Sequence, residues 1–156
     1  MDDTPQLMLA AIQKIIKHVG ELSCESALYE SEPWGFEASK NFLNKVIEIS
    51  TNMDPLDLLR FLLSIEKELG RKRNSGVSYA SRGIDIDILF LDDLVISSQE
   101  LIVPHPRLHQ RRFTLMPLSE QWPNLKHPTI GLTIKELLIN CKDEGFVKLL
   151  DYSLEP

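Results

Sequence analysis

The order of periodic segments predicts an α+β sandwich, helices packed on a mainly antiparallel sheet, and three observations carry that expectation. Residues 5–19 and 55–69 repeat apolar side chains every three or four positions, the period of a helix with one buried face. Residues 84–91, Ile-Asp-Ile-Asp-Ile-Leu-Phe-Leu, alternate with the period of a strand. The segments follow one another as helix, strand, strand, helix, hairpin and then short helices.

The first helix has Leu7, Met8, Ala11, Ile12, Ile15, Ile16 and Val19 on one stripe. Thr4 suits its cap, Pro5 its first turn and Gly20 its end. A short strand is expected around 27–30, then a polar loop over 31–41 and a longer strand over about 42–50 containing Phe42, Val46, Ile47 and Ile49. Asp54-Pro55 opens a second helix, with Leu58, Leu59, Leu62, Ile65 and Leu69 apolar, that stops at Gly70. Residues 71–83 lack periodicity and predict a basic, mobile loop. The strand carrying Asp85 and Asp87 is expected to turn at Asp92-Asp93 into a partner strand over 94–97. Pro104 and Pro106 enforce an extended entry to a helical stretch near 107–119. Thr133 and Glu136 form a capping box for a helix over roughly 134–141, and residues 146–150 suit a last strand.

Length and composition bound the function classes. A chain of 156 residues is expected to form one domain, 1–156, with a real core. No apolar run reaches the roughly 18–20 residues of a membrane span, and the opening Met-Asp-Asp-Thr-Pro is acidic where a signal peptide would be basic. Cys24 and Cys141 have no C-x-x-C spacing, which suits reduced thiols and a cytoplasmic protein. A membrane partner is not expected. With 17 Lys and Arg against 23 Asp and Glu, the chain lacks the broad basic surface that nucleic acid requires.

The carboxylate pair is the chemically informative feature. Asp85 and Asp87 share one face of an extended segment, about 7 Å apart along it. So placed, they repel unless a hard divalent cation lies between them. An isolated D-x-D is more often a wet edge strand, but the neighbours here are basic. Gly70-Arg71-Lys72-Arg73 and Arg82 precede the pair, and Pro104-His105-Pro106-Arg107-Leu108-His109-Gln110-Arg111-Arg112 follows it. Basic side chains gathered round a carboxylate pair, in a chain of net charge −6, suggest a polyphosphate carried with its metal.

These motifs resemble those of the 6-hydroxymethyl-7,8-dihydropterin pyrophosphokinases of folate biosynthesis. Gly70-Arg71-Lys72-Arg73 with Arg82-Gly83-Ile84-Asp85-Ile86-Asp87-Ile88-Leu89 is similar to that family's G-R-x-R, loop, R-x-[IL]-D-[IL]-D-[IL]-L. Val103-Pro104-His105-Pro106-Arg107 through Arg111 and Phe113, then Pro117-Leu118-Ser119-Glu120, resembles V-P-H-P-R-M-x-x-R-x-F and P-L-x-E. Tyr29 through Gly35, with Asn41-Phe42-Leu43-Asn44, is similar to Y-x-T-x-P-x-G and its [YF]-x-N strand.

The resemblance implies a ferredoxin-like two-layer sandwich and transfer of pyrophosphate from ATP to the pterin hydroxymethyl group, leaving AMP. It implies two Mg²⁺ ions on Asp85 and Asp87. Arg71, Arg73 and Arg82 correspond to loop arginines that close over the phosphates. Glu66, Arg73, Ile88, His105 and Arg111 correspond to ATP-contacting positions. Ser31, Pro33, Trp34, Phe42, Asn44 and Phe113 correspond to the pterin pocket, where Phe42 and Phe113 suit stacking on a flat ring and Asn44 suits reading its edge. The protein is expected to act as a monomer on ATP and a reduced pterin.

Three positions depart from the family's pattern. The family's opening strand, ending in G-[ST]-N, has no counterpart ahead of the first helix, where Met1-Asp2-Asp3 stands. Leu63 replaces a polar residue, and Tyr79 replaces a loop Trp. The first departure motivates the alternative reading, a truncated non-catalytic relative that binds nucleotide or pterin.

Overall fold

Helix α1 (Thr4–His18) buries the predicted stripe in the computed structural model, which describes residues 4–32, 41–73 and 83–150, with the side chains of 4 and 71–73 left aside. Leu7, Met8, Ala11, Ile15 and Val19 are buried, Ile12 is half-buried and Ile16 is exposed. The described residues divide into two compact units, one formed by the chain up to 22 with 49–88, the other by 23–48 with 89 onward.

In the first unit α1 packs against α2 (Pro55–Arg73). Leu58, Leu62, Ile65 and Leu69 recur at helical spacing and are buried. Asp54 caps α2, its carboxylate accepting from Leu56 N–H at 3.3 Å. Lys14 and Glu68 form an ion pair at 3.2 Å. Gly20 does not end α1 through a left-handed conformation, since Gly131 is the only described glycine with positive φ. Its small size serves close approach instead: a Cβ there would lie 2.0 Å from the Ser50 carbonyl oxygen.

The expected stop of α2 at Gly70 is three residues early. Gly70 lowers helix propensity by about 1 kcal/mol relative to Ala, a cost that one turn can absorb, and the helix runs on to Arg73.

In the second unit β2 (Tyr29–Ser31) is the centre of a three-stranded antiparallel sheet, flanked by β3 (Phe42–Asn44) and β7 (Val147–Leu149). Ser31 stands opposite Phe42 and Val147, and Tyr29 opposite Asn44 and Leu149. Directly opposed residues share a face, so Tyr29, Ser31, Phe42 and Asn44 all point to the same side. Helix α3 (Arg112–Gln121) contacts all three strands. It also packs against α4 (Ile134–Asn140) and the short 3-10 turn Leu108–Gln110, and Leu108, Leu115, Leu118, Ile134 and Leu137 form the buried cluster where they meet. The capping box of α4 is as expected: Thr133 Oγ1 accepts from Glu136 N–H, and the Glu136 carboxylate accepts from Thr133 N–H.

The expected strand over 42–50 is two strands, β3 and β4 (Ile47–Ser50), broken at Lys45-Val46. β4 pairs with β1 (Glu21–Glu25), a strand the sequence reading missed.

The expected hairpin is also different. The turn at Asp92 is present, with φ 53° and Leu94 N–H donating to the Leu91 carbonyl at 2.9 Å. Its far arm, however, is β5 (Ile96–Ser97), whose strand partner among the described residues is β6 (Ile102–Val103). Ser98 closes that turn, its hydroxyl accepting from Leu101 N–H at 3.1 Å. Among the described residues, 84–88 carry no strand ladder. Ile86 N–H donates to a side chain, the Glu66 carboxylate, in place of a neighbouring strand.

Helices with antiparallel strand pairs make this an α+β fold, as the segment order predicted.

Candidate functional site

The carboxylate pair keeps the predicted alternation without the predicted ladder. Ile84, Ile86 and Ile88 are half-buried while Asp85 and Asp87 are exposed. What orients the segment is Glu66, half-buried on α2, whose Oε2 accepts from the N–H of the residue between the two aspartates.

Among the described residues no group of three or more His, Cys, Asp or Glu side chains converges as a closed metal cage. Two exposed carboxylates suit Mg²⁺ well enough, because Mg²⁺ takes one or two carboxylates and fills its remaining positions with water and phosphate oxygens.

A Cβ on Gly83 would lie 2.8 Å from Gly70 Cα and 2.9 Å from Gly70 N, so the two glycine backbones touch. Arg71 and Arg73 belong to the last turn of α2, beyond that contact. Their side chains, Arg82, Pro33, Trp34 and Tyr79 lie outside the described residues. Leu63 is half exposed on α2, at 50%.

In the second unit His105 is fixed at both ends of its residue. Its N–H donates to the Leu89 carbonyl at 3.0 Å, and its Nδ1 accepts from Arg107 N–H at 3.1 Å. A neutral imidazole that accepts at Nδ1 carries its proton on Nε2. The Val103–Pro104 peptide just before it is cis.

Arg111 precedes α3, and its guanidinium carbon lies 5.5 Å from the centroid of the Phe113 ring, a cation–π contact. Phe113 in turn lines a small cleft with Ser31, Glu32, Asp143, Gly145, Phe146 and Val147. Ser31 is buried, and its hydroxyl accepts from Asn44 Nδ2 at 2.8 Å. Four of the predicted pterin residues therefore sit on one sheet face or the helix against it: Ser31, Phe42, Asn44 and Phe113.

Seven residues along α3 are about two turns, so Glu120 is on the same helix face as Phe113. Its Oε1 accepts from the Tyr29 hydroxyl at 2.7 Å, and both its oxygens accept from Ala27 N–H. Burial alone would lift the Glu120 carboxyl. The hydrogen bonds from Tyr29, Gln121 and Ala27, together with the Lys45 charge, hold it below the usual range. Burial first, then the bond to Glu120 and its charge, pushes the Tyr29 phenol up to about 12.

Sequence reasoning missed Glu120 as the partner of Tyr29, Glu66 as the acceptor for Ile86 N–H, and Asp143, Gly145 and Phe146 as cleft residues. Glu120 closes the Pro117–Glu120 motif and Glu66 is expected only at the nucleotide, but nothing local in sequence says which donor a carboxylate will reach. Asp143-Glu144-Gly145 reads only as a turn.

Comparison with known proteins adds the rest. The model of the family described as 7,8-dihydro-6-hydroxymethylpterin-pyrophosphokinase matches residues 1–123. A 2-amino-4-hydroxy-6-hydroxymethyldihydropteridine pyrophosphokinase of Porphyromonas gingivalis is 44% identical over 131 residues, 82% of this chain and 88% of that one. One of Aquifex aeolicus is 42% identical over 134 residues, 86% of this chain and 82% of its own. The folic acid synthesis protein FOL1 of Dictyostelium discoideum is 37% identical over 120 residues, 77% of this chain and 18% of that longer protein.

Proposed function

The chain belongs to the 7,8-dihydro-6-hydroxymethylpterin-pyrophosphokinase family, and from that premise we propose that it transfers pyrophosphate from ATP to 6-hydroxymethyl-7,8-dihydropterin in folate biosynthesis. The observation that carries this reading is the joint presence of the D-x-D carboxylates and the Ser31–Asn44 face beside Phe113, each matching a motif of the family.

The hydroxymethyl oxygen attacks the β-phosphorus of ATP and its proton passes to solvent. The bond from that phosphorus to the α–β bridging oxygen breaks, AMP leaves with the oxygen, and the β and γ phosphoryl groups remain on the pterin. Such transfers depend on positioning and charge stabilisation rather than on covalent help from the protein.

Asp85 and Asp87 hold two Mg²⁺ ions, which supply positive charge to the phosphate oxygens. Glu66 keeps the two carboxylates in place through Ile86 N–H, and Ile88 backs the nucleotide. Arg71, Arg73 and Arg82 close over the phosphates, where guanidinium forks match phosphate oxygens. His105 donates from Nε2 to the nucleotide, and Arg111 adds a fixed cation. Phe42 and Phe113 offer ring faces to the pterin, Asn44 reads its edge while the Ser31 hydroxyl orients that amide, and Pro33 and Trp34 complete the pocket. Residues 1–156 act as one functional piece, a cytoplasmic monomer. Separately, no described helix is long and apolar enough to cross a membrane.

The test is product identity. Incubated with Mg-ATP and the reduced hydroxymethyl pterin, the protein converts the pterin to a species heavier by two phosphoryl groups. A pterin carrying one phosphoryl group, or none, contradicts the assignment.

A further inference from the structure

Helix α3 starts without a cap of its own. Its N-cap residue, Arg111, is extended at φ −119° and ψ 107° and makes no side-chain capping bond. The first N–H groups of a helix have no partner within it and need an acceptor from elsewhere. Here the acceptor comes from 31 residues downstream: Asp143 Oδ2 accepts from Arg112 N–H at 3.0 Å. The other oxygen, Oδ1, accepts from Gly145 N–H at 2.9 Å. One carboxylate thus ties the start of α3 to the segment entering β7, and its negative charge suits a helix N-terminus. The return is tight as well, since a Cβ on Gly145 would lie 3.1 Å from Glu32 Oε2 and 3.2 Å from Asp143 Oδ1.

We propose that Asp143 is a positioning residue for the transfer: by capping α3 from outside it holds Arg111 and Phe113 in their working orientations. It lies beyond residue 123, where the family match ends, and it borders the same cleft as Phe113 and Ser31. Arg111 and Phe113 flank Arg112 on either side, so any freedom of the Arg112 peptide passes to both. The cation–π contact between them makes the pair move together. The proposal rests on the reading that Arg111 meets the nucleotide and Phe113 the pterin.

The test compares Asp143→Ala, Asp143→Asn and Phe113→Ala with the wild type. Calorimetry uses 6-hydroxymethylpterin and Mg²⁺ with α,β-methylene-ATP, whose bridge cannot be cleaved, and steady-state rates use the true substrates. D143A weakens both ligands about fivefold to tenfold, the loss expected for an N-cap, while kcat stays within about twofold. D143N, which keeps a capping acceptor, restores both affinities to within about twofold. D143A indistinguishable from wild type, or D143N as weak as D143A, overturns the proposal. F113A that keeps full pterin affinity shows instead that the Phe113 reading beneath it has failed. If D143A does not fold, amide exchange in the wild type decides. Arg112 and Gly145 N–H must be protected, and exchange at free-amide rates overturns the assignment.

Discussion

The Tyr29 hydroxyl donates to Glu120 Oε1 at 2.7 Å, and that bond joins the middle strand of a sheet to the far end of the helix lying on it. Phe113, near the other end of the same helix, lines a cleft with Ser31. Two motifs 91 residues apart in the chain are thereby one structural device.

The first prediction concerns that device. Tyr29→Phe and Glu120→Gln each lower stability by about 1 kcal/mol or somewhat more, as for a hydrogen bond to a charged group. Because the two side chains share one bond, the double variant loses less than the sum. Urea denaturation of the four proteins measures the coupling; strict additivity would mean the bond contributes nothing.

Stability should fall at both ends of the pH range. Glu120, held below 4.5 in the folded state, stabilises fully above that value and less as pH drops through its folded value. His127 is buried, its Nδ1 accepts from Ile130 N–H at 3.0 Å and Thr129 N–H at 3.2 Å, and burial with the His109 charge pushes its imidazole below 6.5. Its contribution is complete above pH 6.5 and is lost as pH falls through the depressed value. Tyr29 works oppositely: with its phenol raised from 10.0 to about 12, its contribution is complete below pH 10.0 and is lost as pH climbs toward 12. Denaturant midpoints against pH should show Y29F removing the alkaline fall and also weakening the acid one, since the Tyr29 bond is the first of the contacts that lower Glu120, with E120Q flattening the acid fall.

Gly83 has no room for a methyl group against Gly70. Gly83→Ala forces backbone apart and is expected to cost about 1–3 kcal/mol, the range for overpacking. It also displaces Gly83 from the end of α2, two residues ahead of Asp85, so KM for ATP rises. An unchanged denaturation midpoint would refute the contact.

Glu66 is expected to act through Ile86. Glu66→Gln keeps an oxygen acceptor for the Ile86 N–H and shifts the Mg²⁺ concentration for half-maximal rate by about threefold or less, whereas Glu66→Ala, with the amide unsatisfied, shifts it about tenfold or more. Magnesium titrations of initial rate separate the two; equal shifts would place the effect in charge rather than in the hydrogen bond.

The sequence made helices and buried faces legible because their period is local. The stripe Leu58, Leu62, Ile65, Leu69 and the Thr133–Glu136 box follow from spacing alone, and both are present. Strand partners are not local. Residues 84–91 alternate as a strand does, yet Ile86 N–H goes to Glu66, while Ile96–Ser97 pairs across a turn that Ser98 closes. Gly70 shows a related failure: a glycine reads as a helix stop, but here it serves packing against Gly83. Of the residues proposed for the pterin, Ser31, Phe42 and Asn44 share one sheet face, which follows from strand alternation and register, and Ser31 lines a cleft with Phe113. Asp143 was not legible, because its importance lies in reaching a helix end 31 residues away.

The most direct test of the central claim is AMP release from Mg-ATP, measured with and without 6-hydroxymethyl-7,8-dihydropterin, for the wild type and for Asp85→Ala and Asp87→Ala. The account predicts AMP in equal amount to pterin consumed, none without the pterin, and a loss of at least about a hundredfold in rate for either variant, as expected when charge stabilisation of the transferred group is removed. No AMP from the folded wild type, or variants that release it at the wild-type rate, would contradict it.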